Sequence, residues 1–147
     1  MAYRKVLLAV DFAADNDEIV EKAVAAAKQN SAELLVIHVN EPMSSSCGAA
    51  PIGGWSPQIV ELDIEARKQA EERLTALSDE LNVDSNHRFM CEGRPAIEIK
   101  RLAEEQSVDL VVLGTHGKHG LGLLLGSTAN GVLHGVSCDV LAVRVAG

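Results

Sequence analysis

Val108-Asp109-Leu110-Val111-Val112-Leu113-Gly114-Thr115-His116-Gly117, followed eight residues later by Gly126-Ser127-Thr128, decides the reading of this chain. Residues 108–113 read as a buried strand. Gly114 and Gly117 open a glycine-rich loop. After Gly126, Ala129, Val132, Leu133 and Val136 share one helical face. A strand, a glycine loop and a helix start are how backbone N–H groups gather around a phosphate. A purely structural turn is the alternative. The loop carries no acid from Gly114 to Leu133, and Lys118, His116 and His119 offer positive charge.

The same alternation extends in both directions. Residues 6–10 and 34–39 are short continuous apolar runs, the mark of strands covered on both faces. Between them Ile19, Ala23 and Ala27 recur at helical spacing, with Asp15 or Asn16 placed to cap. Residues 40–57, rich in Pro, Ser and Gly, make a long loop holding the only tryptophan, Trp55. A loop of that length is either functional or mobile. Trp55 either packs over the loop base or belongs to a lid or subunit contact. Residues 59–81 form a long amphipathic helix with Leu62, Ala66, Ala70, Leu74, Leu77 and Leu81 as its apolar stripe. Asp63 and Arg67 are placed as an ion pair on its solvated face. The mixed stretch 83–91 reads as an edge strand. Gly93-Arg94-Pro95 opens a helix buried through Ile99, Leu102 and Ala103. A helix over 127–136 and a strand over 139–145 complete the chain.

The order β-α-β-α-β-α-β-α-β implies an α/β, three-layer, doubly wound domain over residues 1–147. It has a five-stranded parallel sheet of order 3-2-1-4-5 and helices on both faces. Ligands of such sheets bind at the carboxyl ends of the strands, where the order reverses. That point lies between the first and fourth strands. Asp11, Val39, Gly114 and Gly117 therefore converge on one crevice. Asp11 suits ribose hydroxyls, or else caps the first helix. Neither GxxxxGK[ST] nor GxGxxG is present. No Ser-His-Asp set or carboxylate pair can be assembled, so the chain reads as a binding module and not an enzyme. His116 and His119 have HxxH spacing without a third ligand, so no metal site is expected.

Composition sets the outer limits. The chain has 147 residues, 47% hydrophobic and only 3% aromatic, so its core is aliphatic. The net charge of −8 argues against nucleic acid and against an anionic membrane surface. No apolar run approaches a membrane span. The N-terminal run stops at Asp11, too short for a signal peptide, which points to the cytoplasm. Cys47, Cys91 and Cys138 are unpaired in pattern and read as reduced thiols.

These residues resemble the universal stress protein A family along essentially the whole chain. The resemblance is carried by 1–11, Ile37-His38-Val39, Gly93-Arg94-Pro95-Ala96, 109–117 and 138–144. It implies an adenine nucleotide alpha hydrolase-like fold and a stress-response role. It also implies ATP or a related adenine nucleotide as ligand, with or without magnesium. Asp11 would meet the ribose, Ala9 and Val39 would flank the adenine, and Gly114 would approach the ribose. Gly117, Gly126, Ser127 and Thr128 would hold the phosphates. The family's binders carry G-x2-G-x9-G-[ST]; here eight residues separate Gly117 from Gly126. One missing residue could shift the cradle by up to ~3.5 Å unless Gly120 and Gly122 absorb it. The resemblance further implies a homodimer through the last strand, at about 140–145, where Val140, Ala142 and Val145 lie on a predicted sheet edge.

Overall fold

The computed structural model describes residues 2–12, 15–43, 52–115 and 126–144. Its strands are β1 (Lys5–Val10), β2 (Glu33–Asn40), β3 (Arg88–Glu92), β4 (Leu110–Gly114) and β5 (Asp139–Val143). Its α-helices among these residues are α1 (Asp17–Asn30), α2 (Pro57–Glu80), α3 (Pro95–Glu105) and α4 (Ser127–Leu133). All strand pairs are parallel, in the order β3-β2-β1-β4-β5. This is the order expected from the sequence.

Alternate residues of the central strands feed two separate cores. Leu7, Ala9, Leu35, Ile37, Val111 and Leu113 pack against Ile99 and Leu102 of α3 and Ala129 and Val132 of α4. Val6, Leu8, Val10, Val36 and Val112 pack against Ile19 and Ala23 of α1 and Leu74 of α2. Val6, Leu7 and Leu8 have no exposed surface. The uninterrupted apolar run thus reflects helices on both sheet faces. Helix α3 crosses α4 where a Cβ on Gly131 would stand 2.7 Å from the Cβ of Ala96. Only glycine permits that approach.

Several boundaries differ from the sequence reading. The stretch 83–91 becomes a strand only at Arg88; Val83 is buried in a turn, and Ser85–His87 is a 3-10 turn. Helix α4 ends at Leu133, not 136, with His134 as its cap. Cys138 falls one residue before β5. Helix α2 starts at Pro57, with the Ser56 hydroxyl accepting from Ile59 N at 3.3 Å. Leu62 of its expected apolar stripe is 55% exposed. Twenty-four helical residues span roughly 36 Å, and the eight of β2 about 26 Å. The first turns of α2 therefore overhang the carboxyl edge of the sheet. The expected Asp63–Arg67 pair does not form. Asp63 accepts from Met43 N at 2.7 Å, and Arg67 pairs with Glu71 and Glu92. Cys47 and Val145 lie outside the described residues. Cys91 and Cys138 are free, half-buried thiols pushed up in pKa by burial.

Three helices end in the same way. Past α1, α2 and α3, residues Ser31, Asn82 and Ser107 take positive φ of 52°, 57° and 55°. The next residues, Ala32, Val83 and Val108, donate back to Ala27, Ser78 and Ala103 carbonyls at 2.8, 2.8 and 2.9 Å. This satisfies orphan carbonyls and turns Val83 and Val108 into the core. The left-handed conformation strains serine more than glycine. Ser107→Gly is therefore expected to raise unfolding free energy by about 0.5–1 kcal/mol, after the glycine entropy cost, in urea denaturation.

Candidate functional site

The carboxyl ends of β1, β2 and β4 open into a cleft of about 410 Å³. Strand β1 contributes Ala9 and Val10, with Asp11 and Phe12 just beyond. Strand β2 contributes Ile37, His38, Val39 and Asn40, and β4 contributes Leu113 and Gly114. Gly126, Ser127 and Thr128 enter from the start of α4. The sequence had named Ala9, Asp11, Val39, Gly114, Gly126, Ser127 and Thr128, and the fold brings all seven to this one cleft. Gly117 lies outside the described residues, as do His116, Lys118, His119, Gly120 and Gly122.

Asp11 is fixed through its backbone. Asn16 Nδ2 donates to the Asp11 carbonyl at 2.9 Å, and Asp11 N donates to Asn16 Oδ1 at 3.3 Å. Asn16 precedes α1 but makes no side-chain cap; its amide holds the end of β1 instead. The cap role falls to Asp15, whose Oδ1 accepts from Asp17 N at 3.0 Å.

The two ends of the glycine loop are joined. Gly126 N donates to the Thr115 carbonyl at 2.7 Å, while Thr115 N donates to Val143 O at 2.9 Å. Ala129 and Val132 anchor α4 in the core beside it. The place of Gly126–Thr128 is thus set by this closure and by packing.

The wall formed by α2 carries groups the motifs did not indicate. Ala66, Gln69, Ala70 and Arg73 line it. Arg73 Nη1 donates to the Phe12 carbonyl at 2.9 Å, and its guanidinium lies 4.7 Å from the Phe12 ring centre. Phe12 also meets the His38 ring, tilted by 37° with centroids 4.7 Å apart. Cation–π attraction and ring contact hold these three side chains together. Pro95 and Ile99 of α3 line the cleft from the opposite sheet face. Of these, Ala66 and Ala70 were legible as the helix stripe. Gln69 and Arg73 carry no local signal, because a helix flank becomes a wall only when docked.

His38 is buried near the end of β2 and hydrogen-bonded there. Its Nδ1 lies 2.9 Å from the Val10 carbonyl. A carbonyl only accepts, so Nδ1 carries hydrogen and Nε2 of the neutral ring is an acceptor. Burial lowers the His38 pKa; the Val10 bond and Asp11 oppose the shift, and Arg73 adds to it.

A parallel sheet of this order, with a cleft across β4, β1 and β2, defines a doubly wound α/β protein with its cleft at the point where strand order reverses. The universal stress protein family model matches residues 2–144. The chain is 37% identical over 146 residues to universal stress protein A homolog 2 of Coxiella burnetii, covering 99% of this chain and 97% of that one. It belongs to the universal stress protein family. Its fold matches the universal stress protein UspA from Lactobacillus plantarum at a TM-score of 0.81 and 22% identity, over 98% of this chain and 99% of that one. A universal stress protein solved in complex with cAMP matches at a TM-score of 0.60 and 23% identity, covering 97% and 98%.

The histidine supplies a pH test. Its folded pKa lies below the ordinary 6.5, so the unfolded chain binds the proton more readily in that interval. The contribution is neutral above 6.5, and stability is lost as pH falls below it. His38→Asn keeps a donor for Val10 but cannot titrate. Between pH 7 and 5 it is expected to lose less stability than the wild type, read as midpoints of chemical denaturation.

Proposed function

We propose that this chain is a stress-response binding module that takes ATP or a related adenine nucleotide, with or without magnesium, across the ends of β4, β1 and β2. The observation that carries this reading is the convergence of Ala9, Asp11, Val39, Gly114 and Gly126–Thr128 on one cleft. Asp11, held by Asn16, accepts from the ribose hydroxyls. Ala9 and Val39 bound the base. Ser127 and Thr128, with the backbone at Gly126, meet the phosphates. Binding of cAMP by a protein of the same fold supports the choice of an adenine nucleotide. The reading places the chain in the cytoplasm, as one unit over 1–147, without nucleic acid or membrane. Among the described residues no helix is long and apolar enough to cross a membrane. The ligand is held as a signal and not hydrolysed for work.

The test is a thermal melt. Millimolar ATP is expected to raise Tm by several degrees, since a ligand that binds only the folded state stabilises it by mass action. Asp11→Ala should cut that rise to near zero while leaving the ligand-free Tm within a degree or two. No rise for the wild type, with and without magnesium, and no nucleotide released from fresh protein would refute the nucleotide reading. Phosphate release that survives Asp11→Ala would belong to a contaminant.

The same proposal makes the protein a homodimer through β5. Among the described residues that strand pairs with β4 alone, and Leu141 is 39% exposed there, with Leu133 of α4 at 43%. An apolar edge of this kind is closed by a second copy. Light scattering should give twice the chain mass for the wild type. Leu141→Glu places two like charges near the seam and should shift the mass toward the monomer at micromolar concentration.

A second reading has its own observation. Val60, Leu62 and Ile64 on the overhanging part of α2 are 46%, 55% and 62% exposed. They favour a contact with another protein that needs no nucleotide. Capture of a partner unaffected by ATP and by Asp11→Ala would support it.

A further inference from the structure

Resting on the nucleotide reading above, the order of groups along the cleft has a consequence for specificity. Strand β1 lies between β4 and β2. Gly126–Thr128 and Gly114 stand at the β4 end, Asp11 at β1 and Val39 at β2. Phosphate, ribose and base would follow the same sequence. The base end is then enclosed by the two helices that cover β2. Ala70 of α2 stands on one sheet face and Ile99 of α3 on the other. These are flat apolar walls suited to a planar ring.

One polar side chain on the α2 wall has a defined sense. Gln69 Nε2 donates to the Glu65 carboxylate at 3.3 Å, one helical turn back. Turning the amide over would set its carbonyl against that carboxylate. Glu65 therefore keeps Nε2 engaged and leaves Oε1 as the group offered to a ligand. Gln69 Oε1 accepts no hydrogen bond among the described residues. An acceptor at the base end suits an exocyclic amine, which adenine carries at its six position. Guanine carries a carbonyl there, and two acceptors face to face repel.

We propose that Gln69, oriented by Glu65, is a specificity-determining residue that selects adenine over guanine in this cleft. Its carbonyl accepts from the six-amino group and rejects the six-oxo group. A site built to hydrogen-bond a substrate group discriminates strongly against an analogue that cannot answer it. Arg73 Nη1 donates to the Phe12 carbonyl at 2.9 Å, which draws its guanidinium toward the end of β1.

The experiment is calorimetric titration of the full chain with ATP and with GTP, for the wild type, Gln69→Leu, Gln69→Lys and Glu65→Ala. Gln69 and Glu65 are both exposed, so the variants should fold, and melting curves check this. The wild type should prefer ATP by about tenfold or more, the equivalent of one hydrogen bond gained and one clash avoided. Gln69→Leu should bring the ratio of the two dissociation constants close to one. Gln69→Lys, a pure donor, should favour GTP. Glu65→Ala should relax the ratio while keeping Gln69, which a merely structural role would not do. An ATP/GTP ratio unchanged in Gln69→Leu, or a wild type that binds both equally, overturns the role of Gln69 and leaves the nucleotide reading standing. A wild type that binds neither removes the nucleotide reading and this inference together.

Discussion

The burial of β1 on both faces is the constraint on which the rest depends. A strand with Val6, Leu7 and Leu8 wholly removed from water needs a neighbour on each edge and a helix layer on each side. Parallel neighbours require crossover connections, and these are right-handed. From β1 the chain passes to β2 on one side, and β4 takes the other. Connections therefore leave in opposite directions, and a crevice opens above the carboxyl end of β1. Asp11 stands there because it is the first residue after the buried run.

Precision in the site comes from bonds that close loops. Asn16 grips both backbone groups of Asp11, tying the end of β1 to the start of α1. The Gly126–Thr115 bond ties the start of α4 to the end of β4. With Ala129 and Val132 buried beside it, this second bond holds the start of α4 against the end of β4.

The cleft is electrostatically mixed. Asp11 and Glu41 line it with negative charge, and Arg73 brings a cation from α2. Among the described residues Arg73 has no carboxylate within ion-pair distance; the Phe12 ring and carbonyl hold it instead. His38 beneath Phe12 is kept neutral by burial. In a protein with a net charge of −8, the described lining of this cleft still brings one cation beside two acids. Local arrangement outweighs net charge at contact distances, because screening leaves distant acids weak.

The sequence by itself determined the strands, their order and seven of the cleft's lining residues. Most follow from local signals: apolar runs for two-sided strands, glycines at turns, and the rule that ligands sit where strand order reverses; Ala9 came only from the family resemblance. It also determined the family, through motifs that extend from residue 1 to residue 144. Tertiary structure alone decided what stands across from those residues. That Gln69 and Arg73 form a wall, that Phe12 meets both Arg73 and His38, and that Asp63 turns to Met43 and not to Arg67 depend on where α2 docks. The long amphipathic pattern located the helix, but not how far it would overhang the sheet. A helix rises about 1.5 Å per residue and a strand about 3.3 Å, so the two run out of register. Only the packed molecule shows which turns of α2 cover the core and which reach over the cleft.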